Sequence, residues 1–226
     1  MAARPTQYSA EQIVELEFLE AVRRRPGMYI GNNSSHGLHH VLLEVLDNAV
    51  DECMGGFATR ILVDIEPDGS VAVDDDGRGI PIEWKADAGM SALTQVMVRP
   101  HAGGKFGGED SAYSTSGGLH GIGLKCMNAF SERVEVTVRR HGLRFRQRFE
   151  NGGVPSSPVE IVDATDEVVG VMDEATTLVT ERNRAAIATA VRVGRQKREV
   201  QADRDMGTGT LIRFRPNRAW FAREMD

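Results

Sequence analysis

Glu44, Asn48 and Asp51 fall within about a 60° arc when the run 38–53 is wound as a helix at about 100° per residue. Leu38, Val41, Leu42, Val45, Leu46, Ala49 and Cys53 cover another face, so this helix is mostly buried and carries one polar stripe. A buried row of carboxylate, amide and carboxylate is expensive unless it has partners, and Mg²⁺, water and phosphate oxygens are partners of the right chemistry. Read by itself the stripe is a solvated face of an amphipathic helix. The rest of the chain shifts the weight toward chemistry.

A second acidic patch, Asp75-Asp76-Gly77-Arg78-Gly79, follows after one predicted hairpin. Asp75 stands at a strand end, where a carboxylate in an otherwise apolar pocket accepts a hydrogen bond from an exocyclic amine such as that of adenine. Arg78 is placed to close such a pocket by pairing with Glu52. Further on, Gly117-Gly118-Leu119-His120-Gly121-Ile122-Gly123 opens a predicted helix at 124–129, so backbone N–H groups converge on anionic oxygens at the positive end of the helix dipole. Lys105, in Ala102-Gly103-Gly104-Lys105-Phe106, adds a point charge for a terminal phosphate. This is not a Walker loop, because Phe106 follows Lys105 and Arg99 stands where the first Walker glycine belongs; nor does the glycine spacing fit the dinucleotide fingerprint. Each feature alone has a plainer reading: a turn aspartate, a surface glycine loop, a solvated lysine.

The elements that position these groups are legible in outline. Ser9-Ala10-Glu11-Gln12 is a capping-box pattern for a helix running through Ile13, Leu16, Leu19 and Val22 and ending near Pro26. Residues 59–66 and 70–74 read as strands joined at Pro67-Asp68-Gly69. Residues 89–123 hold nine glycines and little periodicity after Met97, which predicts a long loop of the kind that serves as a lid. Residues 133–140 and 143–150 alternate as strands about a His141-Gly142 turn, 182–200 reads as a basic helix, and a last strand covers 210–215. Hairpins interspersed with helices define an α+β layer fold with a mainly antiparallel sheet.

Composition sets the outer limits. A chain of 226 residues with 41% hydrophobic content builds one large or two small cores, and it has no apolar stretch long enough to span a membrane. The isolated cysteines Cys53 and Cys126 and an N-terminus without a signal-peptide pattern fit a reducing, cytoplasmic setting with no disulfide or zinc site. A net charge of -6 argues against a chain that coats nucleic acid along its whole surface.

Taken together, Glu44-x-x-x-Asn48, Asp75-Asp76-Gly77-Arg78-Gly79-Ile80-Pro81, His101-Ala102-Gly103-Gly104-Lys105-Phe106 and 116–123, in that order, resemble the ATPase domain of bacterial type IIA topoisomerases. The nearest pattern is the gyrase B subfamily, within the Bergerat-fold (GHKL) ATPases. Arg23-Arg24-Arg25-Pro26-Gly27-Met28-Tyr29-Ile30-Gly31 and Gly207-Thr208-Gly209-Thr210-Leu211-Ile212-Arg213-Phe214 are similar to the same subfamily, so the resemblance covers residues 8–155 and 207–216. It implies a two-layer α+β sandwich whose mixed, mainly antiparallel sheet is covered by helices on one face. It implies a single ATPase domain over 1–226, with a dimerisation arm and first helix in 1–20 and an ATP lid at 84–120. Residues 159–206 form an insertion longer than the family pattern. The family's transducer and DNA-cleaving regions are expected to be absent, leaving a chain that binds ATP but hydrolyses it weakly.

The same resemblance assigns roles. Glu44 is the general base for the attacking water and Asn48 the ligand of an ATP-bound Mg²⁺. Asp75 takes the adenine amine, with Thr210 and Gly79 holding a shared water. Gly103, Lys105, Leu119, His120, Gly121, Ile122 and Gly123 bind phosphates, Tyr113 makes a further nucleotide contact, and Asp51 supports the pocket rim. Glu52, Arg78, Pro81 and Arg146 form the rim used by aminocoumarin inhibitors, and Tyr8 and Ile13 belong to an arm that reaches a second copy when ATP binds. The implied partners are gyrase A in an A2B2 holoenzyme, DNA through that holoenzyme, and a second copy of gyrase B. The implied output is ATP-driven strand passage with negative supercoiling. Decatenation, as by the ATPase subunit of topoisomerase IV, is the alternative; a non-hydrolysing switch or a histidine kinase is a third, against which Glu44 and Lys105 both stand.

Overall fold

Alternating apolar residues build the sheet. Val134, Val136 and Val138 of β5 (Ser131–Arg140) and Leu143, Phe145 and Phe149 of β6 (Leu143–Glu150) are all at most 2% exposed, and they share one face because the pleat repeats every two residues. His141 and Gly142 between them both take positive φ, the turn geometry that matches strand twist. The computed structural model describes residues 16–32, 34–104, 121–174, 176–177, 192–193, 196–197 and 207–221. The expectations placed on Tyr8, Ile13, Lys105, Tyr113, Leu119 and His120 lie outside the described residues.

The main sheet also contains β1 (Ile61–Ile65), β2 (Val71–Asp75), β8 (Val159–Val162), β9 (Val168–Met172) and β12 (Gly209–Pro216), in the order β1-β2-β12-β5-β6-β8-β9 with β7 (Val154–Pro155) beside β6. Every ladder among the described strands is antiparallel. The strand from the far end of the sequence therefore sits in the middle, pairing Thr210 with Asp75 on one side and with Val138 on the other. Gly209, which begins it, has φ 148°, and a Cβ there would stand 2.1 Å from the Asp75 carbonyl oxygen.

Helices α1 (Phe18–Arg24), α2 (Ser35–Met54), α3 (Ala92–Val98) and α4 (Gly123–Ala129) lie over the apolar face, with α4 touching the other three as well as β5 and β12. All seven residues of α4 are buried. The opposite face is charged: Arg146 and Arg148 pair with Glu160, Arg148 with Glu135, Arg213 with Glu66 and Arg139 with Asp74. A short helix α5 (Arg218–Phe221) seats Trp220 and Phe221 edge-on against Phe130. Among the described residues no helix is long and apolar enough to cross a membrane.

Three local expectations are corrected. Among the described residues the first helix begins at Phe18, since Leu16 and Glu17 precede it in non-helical backbone, and it stops at Arg25 because the residue before Pro26 is disfavoured in the helical region; the expected cap at 9–12 and Ile13 lie outside the described residues. The stretch 89–123 is not all loop: β4 (Met90–Ser91) pairs with β3 (Trp84–Lys85), and Ser91 caps α3, whose Leu93 and Met97 are fully buried. In place of a continuous basic helix, β10 (Arg192–Val193) pairs with β11 (Gln196–Lys197); Gly194 between them costs a helix interior about 1 kcal/mol. The span 159–206 also supplies β8 and β9 to the main sheet.

Gly209→Ala is expected to destabilise the fold by about 2 kcal/mol or more, through a disfavoured backbone conformation and a clash with β2. A denaturant midpoint equal to that of the parent chain would contradict this account of the β2–β12 junction.

Candidate functional site

Helix α2 starts where Ser34 caps it, its Oγ accepting the His36 N–H at 3.2 Å. Its Val41, Val45 and Ala49 pack into the core. The row 44, 48, 52 rises along one side at four-residue intervals and faces a cavity of about 690 Å³ between helices and sheet. That size suits a nucleotide-sized ligand. Asp51, expected as a supporting partner near the rim, is fully buried and off the cavity wall, while Glu52, expected at the rim, lines the cavity.

At one end of the cavity the Glu44 carboxylate lies against the backbone of Gly123. A Cβ on Gly123 would be 1.9 Å from Glu44 Oε2 and 2.8 Å from Glu44 Cβ, so only glycine lets α2 and α4 approach this closely. One turn along, Asn48 donates its side-chain amide to the Glu44 carbonyl at 2.5 Å. Gly103, Gly104, Gly121 and Lys125 complete this end.

At the other end stands Asp75, 8% exposed, its Oδ1 accepting the Gly77 N–H at 2.9 Å. Burial pushes its carboxyl up to about 6; the Gly77 N–H works against that rise and the Glu52 carboxylate adds to it. Thr210, opposite Asp75 in the ladder, accepts the Ile80 N–H on its Oγ1 at 3.2 Å. Glu52 holds Arg78 by both carboxylate oxygens, at 2.7 Å to Nη2 and 3.2 Å to Nε, and also takes the Arg78 backbone N–H at 2.7 Å. The Arg78 guanidinium lies 3.6 Å over the Phe57 ring, so the expected Glu52–Arg78 pair is present and is braced from its other side.

The structure thus brings Glu44, Asn48, Glu52, Asp75, Arg78, Gly79, Pro81, Gly103, Gly121, Gly123 and Thr210 around one cavity. Ile122 caps the start of α4 without lining it. Arg146 is a correction. It pairs with Thr137 across the β5–β6 ladder, which puts it on the outer face, buried between Glu160 (3.1 Å) and Asp166 (2.5 Å). The arginine that the β5–β6 hairpin puts on the cavity wall is Arg140, which donates to the Gly79 carbonyl at 3.0 Å. A signal existed for it: 140 has the same strand parity as Val134, Val136 and Val138, so its side chain faces inward. Lys125, in the apolar run Leu124-Lys125-Cys126-Met127, had no comparable signal.

The family profile described as histidine kinase-, DNA gyrase B-, and HSP90-like ATPase matches residues 33–158, and the chain belongs to that family. Within it, the chain is 51% identical over 162 residues to the DNA gyrase B protein of Micrococcus luteus, covering 72% of this chain and 22% of that protein. It is 56% identical over 146 residues to the DNA gyrase B protein of Mycolicibacterium smegmatis, covering 65% and 21%. The chain therefore spans about a fifth of the length of these curated relatives. Among solved structures, the 43K ATPase domain of Thermus thermophilus gyrase B in complex with an aminocoumarin aligns with a TM-score of 0.62 at 30% identity, over 92% of this chain and 41% of that one.

Two outcomes follow from the geometry. Because the folded pKa of Asp75 lies above the ordinary carboxylate value, the folded chain binds a proton that the unfolded chain lacks between about pH 4 and 6, and this group's contribution to stability is lost as pH rises through that window. An adenine amine needs the ionised carboxylate, so affinity for an adenine nucleotide should climb as pH rises from about 5 to about 7 with an inflection near 6; calorimetry on Asp75→Asn should show that inflection gone. Separately, Gly123→Ala should cut ATP turnover by about a hundredfold by displacing Glu44. Parent-like turnover in that variant would show that the contact does not position the carboxylate.

Proposed function

We propose that this chain binds and hydrolyses ATP as the nucleotide domain of a gyrase B-type protein, coupling hydrolysis to DNA strand passage and negative supercoiling. The observation that carries the reading is the pairing of two carboxylates at opposite ends of one cavity: a buried acceptor, Asp75, suited to an adenine amine, and Glu44, packed against glycine backbone where phosphates would lie. The identity to two DNA gyrase B proteins supports supercoiling over decatenation.

Glu44 accepts the proton of a water aligned with the terminal phosphorus, while Asp75, Thr210 and Gly79 orient the base from the far end. Gly103, Gly121 and Gly123 line the cavity where the phosphates would lie; by the resemblance, Lys105, Leu119, His120 and Ile122 would also bind phosphates and Tyr113 would contact the nucleotide. The residues present suit Mg²⁺ held chiefly by phosphate and water: among the described residues no cluster of three or more His, Cys, Asp or Glu could hold a metal alone, and Asn48 adds one amide oxygen one turn from Glu44. Bound there, Mg²⁺ neutralises charge developing on the phosphates. Glu52, Arg78, Pro81 and Arg140 would form the rim for an aminocoumarin, the ligand of the Thermus thermophilus domain. The arm carrying Tyr8 and Ile13 would join a second copy, with gyrase A and DNA completing a cytoplasmic A2B2 assembly.

Glu44→Ala in the full-length protein with its gyrase A partner should lower turnover by about a thousandfold or more and leave ATP-analogue affinity within about threefold. Surviving ATP hydrolysis would remove Glu44 from the role of base, and decatenation without supercoiling by the unmodified assembly would redirect the reading to topoisomerase IV.

A further inference from the structure

Lys125 is a charged residue inside a helix with no exposed side. It is 2% exposed, a placement that costs several kcal/mol unless the ammonium is compensated. Its Nζ donates to the Ala102 carbonyl at 2.7 Å, a charge-assisted bond to a residue 23 positions earlier. The backbone it grips is under tension: His101, just before, sits at φ 54°, a left-handed conformation that a residue with a Cβ holds only when its surroundings impose it. One turn along α4, Asn128 donates to the Met97 carbonyl at 3.1 Å. Two donors three residues apart on one helix thus hold both ends of the stretch 97–102. Lys125, Ala102, Gly103, Gly104 and Glu44 line the same end of the cavity.

We infer that Lys125 is a positioning residue for the phosphate end of the pocket: it fixes the 102–104 wall beside Glu44 and so sets affinity for the polyphosphate and not for the base. This rests on the proposed ATP reading. The wall carries backbone N–H groups of two successive glycines, which have no side chain to hold them in place, and a fixed ammonium on the preceding carbonyl supplies that anchor.

The test is calorimetric titration of the chain with Mg²⁺ and a non-hydrolysable ATP analogue, and separately with an aminocoumarin, for the parent, Lys125→Met and Lys125→Arg. Lys125→Met should weaken the analogue by about tenfold and the aminocoumarin by less than about twofold, and Lys125→Arg should restore most of the loss. Equal affinity of parent and Lys125→Met for the analogue, or equal loss of both ligands, overturns the inference. If Lys125→Met does not fold, Lys125→Gln is judged by the same two criteria. A parent chain that binds neither ligand would instead overturn the ATP reading itself.

Discussion

A seven-residue helix buried on every side has no solvent to absorb its polar groups, and the shape of the pocket follows from how α4 meets that demand. Its first residue is glycine, so the neighbouring helix can lay the Glu44 carboxylate against its backbone. Its lysine and asparagine are spent on carbonyls of the segment before it. Just beyond its end, Ser131 Oγ donates back to the Met127 carbonyl at 2.7 Å, and the Phe130 carbonyl accepts the N–H of Asn217 at the β12–α5 junction. Polar pairing thus ties α3, β5 and the end of β12 to one short helix, close packing at Gly123 adds α2, and of the Asn128 amide only the nitrogen is paired.

How much was legible depended on whether the deciding contact was local. The α2 stripe announced itself through helical periodicity, and Asp75 through the hairpin before it, because both signals lie within a few residues of the group concerned. At Arg146 the local signal was present and ran against the rim assignment: Arg144, Arg146 and Arg148 alternate with the buried Leu143, Phe145 and Phe149 along β6, so strand parity sends all three to the outer face. Parity counted from Val138 favours Arg140, and the structure agrees. The central position of β12 had no local sign at all, since a strand's partners are fixed by contacts far away in sequence. Lys125 was illegible because a lysine in an apolar run looks like a solvated interruption until its carbonyl partner is in view.

The outer face of the sheet shows the same economy from the other side. Arg146, at 5% exposure, is the buried arginine of that face among the described residues, so removing one of its partners would leave a charge without water; the more exposed pairs around Arg213 and Arg133 are screened and contribute little. Their main effect is to keep that face wet. A sheet finished in charge cannot fold a second layer onto itself, so the apolar face builds the core and, among the described residues, the four longer helices collect on the side where the cavity forms.

The central strand has a consequence for how the molecule comes into being. Ile80 and Thr210, joined by one hydrogen bond beside Asp75, are 130 residues apart in the chain. As the chain leaves the ribosome, β2 and β5 are both made long before the strand that belongs between them, and each presents an open row of N–H and C=O groups in the interval. Neither Asp75 nor its threonine neighbour has its final surroundings until residues 209–216 arrive. Competence to hold a ligand is therefore gained in one step, when a single strand, made well after both of its neighbours, slides into the gap between them.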